Sequence, residues 1–232
     1  MNRARRMAAL QARALAAAGI GVLALDLFGT GDSAGDFGEA RWEIWREDVI
    51  AAGDWLAARN GRPLALWGLR LGALLAAEVA ARQPDRFRRL VLWQPVVEGK
   101  TMLTQFLRVQ LAAAMTANGN RETTESLRAA LAAGRPVEIA GYELAPELAA
   151  AIDAARCADC ALPPGSVVDW LEVSPSGEAT PAPVAQRAID AWRAAGVTVE
   201  TAAVAGKQFW AVQETTIAPQ LLDATRRIFE SA

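Results

Sequence analysis

The sequence predicts an α/β protein: a parallel sheet with flanking helices and a helical insertion. Two patterns carry this. Short apolar runs alternate with amphipathic stretches, the rhythm of strands joined by right-handed helical crossovers. An Ala-rich, strand-free span between about 99 and 163 then interrupts that rhythm. The chain is divided accordingly, with 1–98 and 164–232 as core and 99–163 as insertion. A chain of 232 residues is long enough to bury a substantial core within one such domain.

Residues 3–18 read as a helix, and 20–26 as a continuous apolar run of the kind buried on both faces. A glycine-rich turn, Gly29 to Gly35, leads to an amphipathic helix over 38–59 with Trp42, Trp45, Val49, Gly53 and Leu56 on one stripe. Strands follow at 63–67 and 89–93, with a helix at 71–82 between them that Pro84 ends. In the insertion, Met102, Leu103, Phe106, Leu107, Leu111 and Ala114 make an apolar stripe. That span reads as a lid over the carboxyl ends of the strands, or as surface helices that cover nothing. Strands at 166–173 and 197–204, with helices at 182–195 and 217–230, complete a count of five parallel strands.

Composition excludes several classes of function. The chain contains no histidine, which removes Ser-His-Asp and Cys-His catalysis, histidine metal sites and an imidazole pH switch. A formal net charge of −2 gives no reason to expect nucleic acid as a partner. Arg3, Arg5 and Arg6 ahead of an Ala-Leu run imitate a targeting peptide, yet Gln11 and Arg13 break the run at helical spacing. No stretch approaches the roughly 20 apolar residues of a membrane span, so a cytoplasmic protein is expected. Cys157 and Cys160 are read as two reduced thiols in a loop; a redox pair or half a zinc site lacks the surrounding pattern. No metal or cofactor is implied.

The chemistry centres on Gly68-Leu69-Arg70-Leu71-Gly72, between a strand and a helix. Glycines four apart permit a sharp turn and close packing of helix on sheet. This is the layout of a nucleophile elbow, where a hydrolase carries Ser, Cys or Asp. Here the middle residue is Arg70, a permanent cation with no lone pair to attack with. It is placed at the carboxyl end of the sheet beside a helix N-terminus, where a carboxylate or phosphate is favoured. An internal salt bridge to Asp26, Asp32 or Glu98 is the competing reading. Ligand contacts are expected from Leu69, Arg70, Leu71, Gly29 and Asp32.

Other candidates are weaker. Ser33 and Ser174 lie near strand ends without a base to activate them, and Glu98, Asp169 and Glu172 read as solvated or Arg-paired acids. Lys207, after the last strand, would need a strongly depressed pKa to act as a base. Gly29-Thr30-Gly31-Asp32-Ser33-Ala34 formally matches a dinucleotide fingerprint. However, Gly35 and Gly38 delay the helix whose N-terminus would hold the pyrophosphate.

Taken together, Asp26-x-x-Gly29-x-Gly31-x-Ser33-x-Gly35 and Gly68-x-Arg70-x-Gly72 resemble the α/β-hydrolase superfamily. The stretches 41–45, 67–72, 94–100, 105–108 and 141–144, with Phe209 and Trp210, resemble more narrowly the second hydrolase-like family of the exosortase A system. That resemblance spans nearly the whole chain and implies a setting of exopolysaccharide biosynthesis and protein sorting. It also implies that an arginine at the elbow is usual. Family members carry further strands and an oxyanion-hole loop ahead of the helix that begins here at Met1-Asn2-Arg3. The sheet is therefore expected to lack its N-terminal strands. The leading expectation is a catalytically degenerate hydrolase homologue that binds a small anionic or acyl-bearing ligand, or a protein partner from the same operon. An active esterase, thioesterase or acyltransferase using Ser33 or an acid such as Glu98 is the alternative. A scaffold acting through 101–115 is a third reading.

Overall fold

The computed structural model describes residues 2–117, 122–212 and 214–230. Its main sheet has four strands, all parallel: β1 (Leu64–Leu69), β2 (Phe87–Trp93), β5 (Val167–Ser174) and β6 (Thr198–Ala205), in spatial order β1-β2-β5-β6. Alternation along the strands sends side chains to two cores. Leu90, Leu92, Val168 and Trp170 face α2 (Trp42–Asn60), α3 (Leu71–Arg82) and α7 (Pro183–Ala194). Val91, Trp93, Leu171 and Val173 face α1 (Asn2–Ala17) and α8 (Pro219–Glu230). Helices on both faces are what a parallel sheet requires, since both faces of its strands are apolar.

Local chemistry accounts for the ends of several elements. Gly61, at φ 60, closes α2 in the left-handed conformation that a side chain disfavours. Pro183 and Pro219 open α7 and α8 at the first helical position, where a missing N–H costs nothing. Thr123 caps α5 (Thr124–Ala132), its hydroxyl accepting the Ser126 N–H at 3.0 Å while Ser126 Oγ accepts the Thr123 N–H at 2.9 Å. Glu78 on α3 ties α2 to it by accepting Trp42 Nε1 and Arg46 Nη1, each at 2.6 Å.

Two sequence expectations are corrected. The run 20–26 is not a strand: it proceeds without turn or bend and pairs with no strand among the described residues, so four parallel strands are seen where five were counted. Its residues are half-buried or exposed, not enclosed on both faces. The span 99–163 is also not strand-free. Between α4 (Gly99–Ala117), α5 and α6 (Pro146–Ala154) it holds a two-stranded antiparallel hairpin, β3 (Val137–Ile139) and β4 (Tyr142–Leu144). Of the stripe on α4, Leu103 and Leu107 are buried and Met102, Phe106 and Leu111 pack against the same core; the Ala114 side chain lies outside those described. Cys157 and Cys160 are free and buried in a short 3-10 turn after α6.

Candidate functional site

Arg70 joins β1 to α3 at φ 54 and ψ −117, a backbone conformation that an L-residue with a side chain rarely adopts. The bend is held on three sides. Arg70 N–H donates to Trp93 O at 3.0 Å, and Arg70 O accepts from Val96 N at 3.2 Å and from Ala73 N at 3.1 Å. Gly68 makes it possible: a Cβ there would come within 2.6 Å of the Ala73 N and Cα. Strand, strained turn and helix therefore form the elbow that the glycine spacing predicts.

The next strand ends in a second strained residue. Gln94, at φ 42, donates its N–H to Leu171 O at 2.7 Å, and its Oε1 accepts the Val173 N–H at 2.7 Å. Both bonds clamp the end of β2 to β5. Gln94 O is left facing the elbow, where it accepts from Arg70 Nη1 at 3.4 Å. Arg70 Nη2 donates to Gln105 Oε1 on α4 at 3.1 Å. The Trp210 ring lies 5.6 Å from the guanidinium carbon, a cation–π distance. Trp210 in turn packs edge-on against Phe209, and Phe209 against Trp93, so the aromatic wall runs back into the core.

Those partners are neutral. Among the described residues no carboxylate pairs with Arg70, and burial is what pushes its pKa down. The proposed pairings with Asp26, Asp32 or Glu98 are not formed. Asp26 is bound by Arg5 and accepts the Asp32 N–H at 3.0 Å, Asp32 sits 3.6 Å from the same Arg5, and Glu98 lies in an isolated backbone β-bridge with Arg156. A desolvated guanidinium without a counter-charge is an electrostatic demand for an anion.

The remaining sequence candidates do not converge on the elbow. Gly29, Asp32 and Ser33 line a separate acidic cleft of about 950 Å³ with Asp26, Asp36, Glu39 and Glu143, and neither Arg70 nor its two neighbours enters that wall. Asp169 pairs with Arg89 at 3.2 Å, at a register level with Val91. Burial raises its pKa, and Arg89 opposes that rise. Glu172 accepts from Trp170 Nε1, and Ser174 Oγ donates to Glu178 O. Lys207 is exposed. Gln94, Gln105 and Trp210 were not singled out as site residues. Their signal was membership of the stretches 94–100 and 105–108 and of the pair Phe209-Trp210 that carry the family resemblance, with no role at the elbow attached to any of them.

A parallel sheet flanked by helices, with a strained elbow at a strand's carboxyl end, defines an α/β-hydrolase fold. Residues 2–156 match the sequence model of a family described as serine aminopeptidase, S33, and the chain belongs to that family. Among solved structures it is similar to Est1E from Butyrivibrio proteoclasticus with bound ferulic acid (16% identity, TM-score 0.64, covering 97% of this chain and 82% of that one). Mouse α/β-hydrolase domain-containing protein 10 is also similar (14%, 0.60, 97% and 84%). So is a monoacylglycerol lipase from Paleococcus ferrophilus (20%, 0.57, 96% and 88%). At such identities the likeness is one of fold. No curated protein matches the chain in sequence.

Proposed function

We propose that this protein is a catalytically degenerate α/β-hydrolase that binds a small anionic or acyl-bearing ligand at Arg70. The observation that carries the reading is the elbow side chain: a cation, partly desolvated, held by two neutral oxygens and an aromatic ring. Attack at a carbonyl needs a nucleophile and a base, and a guanidinium supplies neither. With no histidine in the chain, a triad cannot be rebuilt from other positions. A carboxylate or phosphate would replace the neutral Gln105 oxygen on the guanidinium with a full counter-charge and a bidentate acceptor. Leu69 and Leu71 flank that seat, and residues 99–163 would act as its helical lid, with Gln105 as the lid's contact to the elbow. The setting we propose is an exosortase-associated, exopolysaccharide-producing system in the cytoplasm, with a partner protein of the same operon.

Membership of a serine hydrolase family favours one competing reading, an active esterase, thioesterase or acyltransferase with unconventional residues. Purified protein exposed to a fluorophosphonate probe and to short-chain p-nitrophenyl esters and thioesters separates the two. Absence of both labelling and turnover is expected. A labelled serine, or turnover abolished by Arg70→Ala in a folded variant, would establish the active enzyme instead.

A further inference from the structure

The guanidinium of Arg70 is not the only under-satisfied group at the elbow. Gln94 O accepts from Arg70 Nη1 at 3.4 Å, well beyond the roughly 2.9–3.0 Å that such a bond prefers. No other described residue donates to this carbonyl. Nor can it turn away to find a donor. The Gln94 N–H is bound to Leu171 O and its side chain to the Val173 N–H, each at 2.7 Å, while buried Pro95 fixes the far side of the same peptide group. Trp93 and Val96, on either side, are themselves bound to the Arg70 backbone. A carbonyl held at a φ of 42 is thus aimed at the cation. Gln105 differs: its Oε1 takes Arg70 Nη2 at 3.1 Å from the end of a flexible side chain, and can be displaced.

The seat therefore offers two nitrogens of one fork, the first behind an exchangeable acceptor and the second beside a fixed one. A plain carboxylate takes the first and does nothing for the fixed carbonyl, having no hydrogen to give; a phosphate monoester dianion has none either. A carboxamide has the hydrogen but brings no counter-charge. A hydroxyl both donates and accepts. Its oxygen, set beside the 3.4 Å pair at ordinary distances of about 2.7–3.0 Å from each, accepts from Nη1 and donates to Gln94 O. One long bond becomes two of normal length. Because Nη1 and Nη2 share a carbon, the ligand oxygens that meet them must be neighbours too, which puts the hydroxyl on the second or third carbon of the acid. Trp210, 5.6 Å from the guanidinium carbon, gives the carbon skeleton an aromatic wall.

We propose that the ligand of this site is a hydroxycarboxylate. Its carboxylate takes Arg70 Nη2 in place of Gln105, and its 2- or 3-hydroxyl bridges Arg70 Nη1 and Gln94 O. This assignment rests on the anion seat proposed above and makes Gln94 the residue that sets specificity. A site built to bond a ligand hydroxyl rejects the analogue that lacks it, because its own polar group is then left without a full partner.

The test is calorimetric titration of octanoate, 2-hydroxyoctanoate, 3-hydroxyoctanoate and the methyl ethers of both hydroxy acids into wild type, Arg70→Met and Gln94→Gly. One hydroxy acid is expected to bind wild type at least ten times more tightly than octanoate. Its methyl ether, which has lost the donated hydrogen, should bind no better than octanoate, and this probes the contact on the unaltered protein. Gln94→Gly, which removes the side chain that clamps the carbonyl in place, should bring hydroxy acid and octanoate within threefold of each other. Arg70→Met should lose both. Equal affinities of octanoate and both hydroxy acids for wild type, with binding lost in Arg70→Met, would overturn the hydroxyl assignment and leave the anion seat standing. So would a methyl ether that binds as tightly as its alcohol. Affinities unchanged in Arg70→Met, or no heat from any acid with wild type, would overturn the seat and the hydroxyl assignment together.

Discussion

Arg70 Nη2 donates to Gln105 Oε1 at 3.1 Å, so the elbow cation meets the helix above it through an amide and not a carboxylate. A neutral partner holds the guanidinium in place without satisfying its charge. Replacing it with a charged one is the most direct perturbation. Gln105→Glu should give Arg70 its own counter-ion and lower the affinity for added octanoate or phosphate about tenfold. Being half-exposed, the new pair should change stability by less than about 1 kcal/mol. Calorimetric titration of the variant, beside a urea melt, reads both.

The backbone at Arg70 is kept in a conformation that glycine adopts freely. Strain of this kind costs on the order of 1–3 kcal/mol, and the unfolded-state entropy of glycine returns part of it. Arg70→Gly is therefore expected to stabilise the fold by about 1 kcal/mol, a rise of roughly 2–4 °C in melting temperature at this chain length. The same variant should lose anion binding. A fall in melting temperature would show that the guanidinium contacts outweigh the strain.

Asp26 and Asp169 should titrate with opposite effects on stability. The Asp32 N–H, and after it Arg5, hold the Asp26 carboxyl below its ordinary value of 3.8. Its contribution is thus present above that pH and is lost as pH falls through the folded value. Burial raises Asp169, so its contribution is present below 3.8 and is lost as pH rises through its folded value. In urea melts stepped from pH 6 to pH 2.5, the advantage of wild type over Asp26→Asn should shrink with acidification. Wild type should gain on Asp169→Asn over the same steps. Gaps independent of pH would contradict both assignments.

Cys157 and Cys160 should be silent in the native state. Burial pushes the Cys160 thiol up to about 12 and the Cys157 thiol further still, so neither holds useful thiolate at pH 8. Ellman's reagent is expected to react with neither thiol until urea unfolds the chain, and then with two equivalents. Rapid reaction of one native thiol would reopen the redox reading of the pair.

What the sequence disclosed follows from how local each feature is. The elbow was legible because Gly68 and Gly72 encode a backbone shape that needs no distant partner. The helices were legible through apolar stripes such as Trp42 and Trp45 and through the break at Pro84. The run 20–26 has every local mark of a buried strand, yet a strand exists only with a neighbour to pair with, and pattern alone cannot supply one. The hairpin at 137–144 was missed because three residues are too few to display alternation; the sign was the turn Ala140-Gly141, both at positive φ. Gln105 and Trp210 reach Arg70 from 35 and 140 positions along the chain, and no spacing rule connects them.

Whether Arg70 receives an anion decides between a binding protein and an empty elbow. Isothermal titration of octanoate and of inorganic phosphate into wild type and Arg70→Met measures this directly. Charge-assisted hydrogen bonds contribute about 1.5–3 kcal/mol, so the variant should bind at least one of the two roughly 10- to 150-fold more weakly. Identical isotherms for the two proteins, or no heat from either anion with wild type, would contradict it.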